Sequence, residues 1–293
     1  MNTQQQAAGT NHDLGFSIDP DIMFSNHKGQ YKKRTEKRQI SLARKLPNLE
    51  RFLGQDEKVL LITTGCSPIG FLEWFVTGWI VFYLKRSLFV FTNKRIFHIP
   101  TTRTFQYRNS IAEIRYADCQ ELKLRRGNLA VKYKSGRKDT FPYLARAERA
   151  RIKNLVSNYS PEGEQSESRD HNHLCPRCTG MLIKENYTCP SCRLQFKSMS
   201  EARKISIIFP GGGYFYTGHP FLGLGDAIVE VFLILIVASS LVDVIGGVPD
   251  SEGALIVFGL ALAFEKIISV YHSNHFIEEY IPKDRKITPV NSL

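Results

Sequence analysis

Catalytic machinery is what this 293-residue sequence lacks. No Ser-His-Asp, Cys-His or paired-carboxylate arrangement falls into a recognisable motif, and Gly211-Gly212-Gly213 is not followed by the Lys-Ser/Thr that completes a phosphate-binding loop. These absences argue against an enzyme and against a nucleotide site. Acid is scarce relative to base. Against 28 Asp and Glu stand 39 Lys and Arg, a formal charge of +11 that favours an anionic partner, either phospholipid headgroups or nucleic acid. Base-stacking aromatics near the cysteine motifs are reduced to Tyr187 and Phe196, which disfavours single-stranded nucleic acid. No signal peptide opens the sequence, so the cysteines are expected in a reducing compartment.

Four of the six cysteines form two knuckles, Cys175-Pro176-Arg177-Cys178 and Cys189-Pro190-Ser191-Cys192. A CxxC pair sets two thiolates on one tight turn, and two such turns close a tetrahedron around one metal at Zn–S distances of about 2.3 Å. Two disulfides are the competing reading; the vicinal spacing and a reducing compartment favour metal. The sequence therefore predicts a structural Zn2+ on Cys175, Cys178, Cys189 and Cys192, with no open position for a catalytic water. His171 and His173 lie just upstream and are expected as solvated loop residues, because four thiolates already complete the shell. Cys66 and Cys119 sit in strand-like contexts and are expected to be buried and inert.

Residues 1–30 lack periodicity and predict a disordered tail. A basic helical segment follows over 31–54, divided at Pro47 into two short helices. From 55 to 159, β-branched and aromatic runs between turn signals predict strands near 59–63, 79–84, 87–92, 96–99, 104–107, 112–116, 120–125, 129–133 and 139–141. An amphipathic helix over 144–159 closes this region. The apolar run over 69–84 is short for a bilayer span and carries Glu73, so it belongs to the core or to a membrane interface. A polar linker over 160–172 then lets the ribbon, 173–198, move relative to the strands.

Two apolar stretches near 224–245 and 253–271, inside a hairpin over 205–273, are each long enough to span a bilayer, and a cytoplasmic tail follows over 274–293. Buried soluble helices are the competing reading, but 231–238 is an unbroken apolar run with no polar face. Asp226, Glu230, Asp243 and Glu265 are intramembrane acids, read either as functional side chains or as structural groups facing Lys266 or His272. Lys197, Arg203 and Lys204 precede the first span and Lys283, Arg285 and Lys286 follow the second. The connecting loop has neither Lys nor Arg, which places both termini in the cytoplasm.

The run Leu88-Phe89-Val90-Phe91-Thr92-Asn93-Lys94-Arg95-Ile96-Phe97-His98-Ile99 resembles the hairpin around T-N-x-R in bacterial pleckstrin-homology-like (PH-like) and GRAM-like domains, and the likeness covers about 55–159. Residues 210–218 with Gly223 resemble the P-G-x-G-x-x-Y-x-G opening of small bacterial two-span, TM2-like membrane modules, over about 208–270. The resemblances imply a multi-domain chain: a PH-like β-barrel or sandwich capped by a C-terminal helix, a zinc ribbon, then an α-helical transmembrane hairpin in a bacterial inner membrane. The expected function is non-enzymatic, a membrane-anchored interaction or sensing protein that displays the first two parts on the cytoplasmic face. Its expected partners are anionic lipid headgroups or a protein, with self-association left open. Candidate lipid- or partner-binding cations are Arg103, Arg108, Lys123, Arg125, Arg126, Lys132, Lys134, Arg137 and Lys138. The alternatives are a small transport or channel component using the intramembrane acids, and a nucleic-acid-binding ribbon tethered to the membrane.

Overall fold

The computed structural model describes residues 14–46, 48–159, 165–284 and 287. They divide into a sheet-rich unit ending at Leu194 and a helical unit over 195–284.

The sheet-rich unit runs through α1 (Pro20–Met23), α2 (Lys33–Ala43), β1 (Val59–Cys66), α3 (Phe71–Thr77), α4 (Val81–Leu84), β2 (Arg86–Thr92), β3 (Arg95–Pro100) and β4 (Ile111–Arg115). Then come β5 (Cys119–Arg125), β6 (Asn128–Tyr133), β7 (Lys138–Phe141), α5 (Arg149–Ser157) and β8 (Asn172–Leu174). They build two antiparallel sheets, one of five strands in the order β1-β2-β3-β4-β8 and one of three, β5-β6-β7.

Side chains alternate between faces along a strand, so the unbroken apolar run Leu88 to Phe91 demands cover on both sides of β2. Phe89 and Phe91, with Leu61, Ile96 and Ile114, pack against the three-stranded sheet and Ile152 of α5. Leu88 and Val90, with Ile62, Phe97 and Ile99, pack against Met23, Phe24, Leu42, Leu46 and Phe52 from the N-terminal stretch. The expected tail is therefore wrong for residues 14–30. Met23 is fully buried and Ile18 bridges to Val59, because these residues are the second cover of the sheet. Residues 1–13 and Pro47 lie outside the described residues. The second expected helix of the basic segment is a 3-10 turn, Leu49–Phe52.

The Thr92-Asn93-Lys94-Arg95 turn is tied to residues 52–58. Thr92 Oγ1 donates to Glu57 at 2.7 Å and accepts from the Arg95 N–H at 3.0 Å. The Arg95 guanidinium donates to Glu57 at 2.7 Å, to the Phe52 carbonyl at 3.0 Å, and to Glu113. Asn93 closes the other side, accepting from Lys58 N–H at 2.9 Å and donating to the Asp56 carbonyl at 3.1 Å.

Two expected strands are absent. Residues 79–84 are helical: a 3-10 turn over Gly78–Ile80 leads into α4, which aligns Val81 and Lys85 at i and i+4 on one buried side. Residues 104–107 contribute only an isolated bridge between Thr101 and Tyr107, because Phe105 turns the chain with φ 60°. The linker expectation also fails where it is described. The Ser166 N–H and hydroxyl both donate to the buried Asp118 carboxylate, at 3.0 and 2.6 Å, and Asn172 opens β8. Residues 160–164 of that linker lie outside the described residues.

The helical unit contains α6 (Met199–Ile208), α7 (Gly212–Thr217), α8 (Pro220–Ile245) and α9 (Ser251–Ile277). Gly211, at φ 66°, and Gly213 permit its tight opening. A Cβ on Gly211 would lie 2.0 Å from the Gly223 carbonyl oxygen, and one on Gly213 would lie 2.0 and 2.1 Å from the Ser206 and Ser273 hydroxyls. The helices α8 and α9 hold 26 and 27 residues, so each is about 40 Å long against a hydrocarbon core of about 30 Å. A core helix of a soluble protein would be mostly buried. Here only 11 % and 6 % of their most apolar eighteen-residue windows are buried, with Phe232, Leu235, Val242, Leu260 and Phe264 all exposed. Of the expected C-terminal tail, residues 274–277 continue α9. The next residues fold back in a bridge from Pro282 to Phe196 and an Ile281 carbonyl that accepts from Lys197 N–H at 3.0 Å. Residues 285, 286 and 288–293 lie outside the described residues.

Candidate metal centre

The two knuckles fold identically. Cys175 N–H donates to the Gly180 carbonyl five residues on, and Cys189 N–H donates to that of Leu194, both at 2.8 to 2.9 Å. Thr179 and Arg193, each four residues after the first cysteine, return their N–H to it and take left-handed φ of 60° and 56°. Within each loop the leading sulfur accepts backbone N–H bonds, Cys175 from Arg177 and Cys178, Cys189 from Ser191 and Cys192. These turns aim four Sγ atoms at one point.

The sulfurs lie within 4.8 Å of one another, with Cys175 to Cys192 at 3.5 Å and Cys178 to Cys189 at 3.6 Å. A disulfide needs about 2.05 Å, and all four thiols are free. A tetrahedron with metal–sulfur bonds of about 2.3 Å has S–S edges of about 3.8 Å, so a modest outward shift of the sulfurs admits a metal ion. Burial pushes the Cys175 and Cys178 thiols up. At Cys189 burial also raises the thiol, but the donated N–H bonds outweigh it and the thiol is lowered. Soft thiolates on a preformed cradle fit a closed, four-coordinate metal centre. The cradle is fastened to its surroundings. Arg51 donates to the Arg177 carbonyl at 2.8 Å, Leu182 N–H donates to the His173 carbonyl at 2.8 Å, and β8 ends one residue before Cys175.

His171 and His173 are not solvated loop residues, and neither joins the sulfur cluster. A pairing row crosses the five-stranded sheet through Thr63, Phe89, His98, Ala112 and His173. Ala112 is small, and the ring of His171 sits 5.2 Å from those of both His98 and His173. His98 Nε2 bonds the hydroxyls of Ser67 and Ser87 at 3.0 and 3.2 Å. The side chain of His171 is 5 % exposed, and its Nδ1 lies 3.6 Å from Asp139. Burial drives His98 well below the usual imidazole range and His171 down to about 3. The sequence signal for this cluster is the pairing of His98 and His173 across one intervening strand, which is visible only once β8 is known to join the sheet.

Of the nine candidate cations, the structure gathers four. Lys123, Arg125, Lys132 and Lys138 occupy one face of the three-stranded sheet, around Glu121 and Thr140. Arg137 is committed to Asp139 and Asp170. Arg126 and Lys134 are exposed at turns, and Arg103 and Arg108 lie in the stretch between β3 and β4. Cys66 and Cys119 are buried, and burial pushes their thiols up, to about 11 and about 12.

Asp226, Glu230 and Glu265 converge between α8 and α9, their carboxylate oxygens within 4.8 Å of one another. Lys266 supplies a cation to the group, its Nζ 2.6 Å from Glu230 and 2.8 Å from the Ser206 carbonyl, and the Ser269 hydroxyl donates to Asp226 at 3.0 Å. Asp243, near the end of α8, is outside this group. No known protein family, curated protein or solved structure matches the chain.

Proposed function

We propose that the chain is a non-enzymatic, membrane-anchored interaction or sensing protein, with α8 and α9 as its anchor and a structural Zn2+ on Cys175, Cys178, Cys189 and Cys192. The observation that carries the reading is a closed thiolate centre in the sheet-rich unit of a chain whose two longest helices leave their apolar surface uncovered. A centre with four protein ligands has no position for substrate, so its role is to hold structure. Two antiparallel sheets around one core with α5 against β5 support the PH-like assignment. The N-terminal cover and the helical insertion over 71–84 depart from it.

The basic face of the three-stranded sheet is the proposed partner surface, and anionic headgroups would contribute about 1 kcal/mol per cation there. The charge asymmetry around α8 and α9 supports an orientation with both termini in the cytoplasm, and the membrane in this reading is a bacterial inner membrane. Transport through the acid cluster is less well supported, because Lys266 and Ser269 already engage Glu230 and Asp226. The test is full-length protein purified in detergent. One zinc per chain by elemental mass spectrometry, and retention on anionic but not neutral lipid beads, are expected. Metal-free folded protein would overturn the metal assignment, and retention on RNA or DNA but not lipid would favour the tethered nucleic-acid ribbon.

A further inference from the structure

The segment between β1 and β2 inverts the usual arrangement of a surface helix. Its charge points in: Glu73 and Lys85 are each 2 % exposed and approach to 3.6 Å, and Glu73 accepts from the Gly70 N–H at 3.3 Å. Its aromatics point out. Phe71, Phe75 and Trp79 are 79 %, 70 % and 68 % exposed, and Trp74, Ile80 and Tyr83 exceed 40 %. Such a contiguous apolar patch marks an interaction site. Cations border it on one side. The Arg86 guanidinium lies 4.7 Å from the Tyr83 ring centre and 5.1 Å from that of Phe105, with Lys45 Nζ 5.5 Å from the same Phe105 ring. Arg86 also donates to the carbonyl of the exposed Arg103.

Trp and Tyr beside Phe, bordered by Arg and Lys, is the composition favoured where acyl chains meet headgroups: amphipathic rings lie at the boundary and cations at the phosphates. We propose that residues 71–83 form a wedge that enters the headgroup–acyl boundary of a phospholipid membrane, with Arg86, Lys45 and Arg103 at the level of anionic phosphates. The proposal rests on the reading of α8 and α9 as spans. A wedge of two short helices binds weakly alone, and attachment to an anchored chain raises its effective concentration at the bilayer. The buried Glu73–Lys85 pair holds the backbone while the aromatics leave water.

The two tryptophans of the chain, Trp74 and Trp79, both lie in the wedge, so tryptophan fluorescence, excited where tyrosine does not absorb, reports on it alone. The full chain is reconstituted into phosphatidylcholine–phosphatidylglycerol vesicles, with or without bromine on the acyl chains. Blue-shifted emission and at least twofold quenching by brominated lipid are expected. Phe75→Ser, a change at an exposed ring, should at least halve that quenching while the chain stays with the vesicles. Water-like emission without quenching overturns the wedge, and so does blue-shifted emission without quenching, which means that protein covers the patch. Flotation after alkaline carbonate separates the two readings. A chain that washes off overturns the spans and the wedge with them; an anchored chain with unquenched tryptophans overturns the wedge alone.

Discussion

Acid should loosen the sheet-rich unit through its buried imidazoles before its carboxylates titrate. His98, His171 and His173 are held neutral by burial; His171, His173 and then Lys85 add to the effect at His98, Arg137 adds to it at His171 and His173, and Asp139 is the nearby carboxylate on His171. In the unfolded chain each would take a proton near pH 6.5. Below that value the unfolded state binds more protons than the native state, so stability falls as pH falls, down to about pH 3 for His171. At about 1.4 kcal/mol per pH unit and per group, lowering the pH from 6.5 to 5 costs about 2 kcal/mol for each imidazole, or about 4 kcal/mol for His98 and His171 together. Hydrogen exchange of β3 amides in the full chain in detergent, corrected for intrinsic rates, measures this loss. His98→Gln/His171→Gln should remove their share of the dependence, leaving that of His173 and leaving the cysteines, and their own acid sensitivity, unchanged. Equal protection of the parent at pH 7.5 and 5, or an equal fall in parent and double variant, would refute the reasoning.

Gly213→Ala places a methyl against the Ser206 and Ser273 hydroxyls and should cost about 1–3 kcal/mol, read as a lower thermal midpoint of the helical unit in detergent. Lys266→Met strands the fully buried Glu230 and should destabilise the hairpin by about 3–5 kcal/mol, whereas Lys266→Met with Glu230→Leu should recover most of it. A double variant no better than the single would count against pairing. For topology, a cysteine at Ser251 in a background lacking Cys66 and Cys119 should react with an impermeant maleimide from outside the cell. Labelling only after the membrane is opened would reverse the proposed orientation.

Local signals carried much of this architecture. Strands β2, β3, β4, β5, β6 and β7 were legible because turn residues bracket each β-rich run, and the CxxC spacing led directly to the sulfur cluster. The two long helices were legible from apolar runs without a polar face. What failed was long-range. Residues 14–30 have no pattern of their own, and their order comes from the second apolar face of β2, which Leu88-Phe89-Val90-Phe91 announces some seventy residues later. Residues 79–84 carry β-prone side chains, yet they are helical, next to the buried Glu73–Lys85 pair, so tertiary context overrides their local preference. The histidine cluster needed β8, three residues inside a stretch whose composition reads as linker.

That short strand has a consequence for the metal-free chain. Without β8, β4 would present open N–H and C=O groups along its outer side, the template on which strands of other molecules add. Three residues cannot hold that position alone, and Cys175 follows them immediately. With the proposed metal on these cysteines, its loss would do more than slacken a knuckle: it would uncover an adhesive sheet margin. Chelation of the purified protein should then yield β-rich assemblies that grow with concentration, and the thiolate centre would serve as a guard against aggregation.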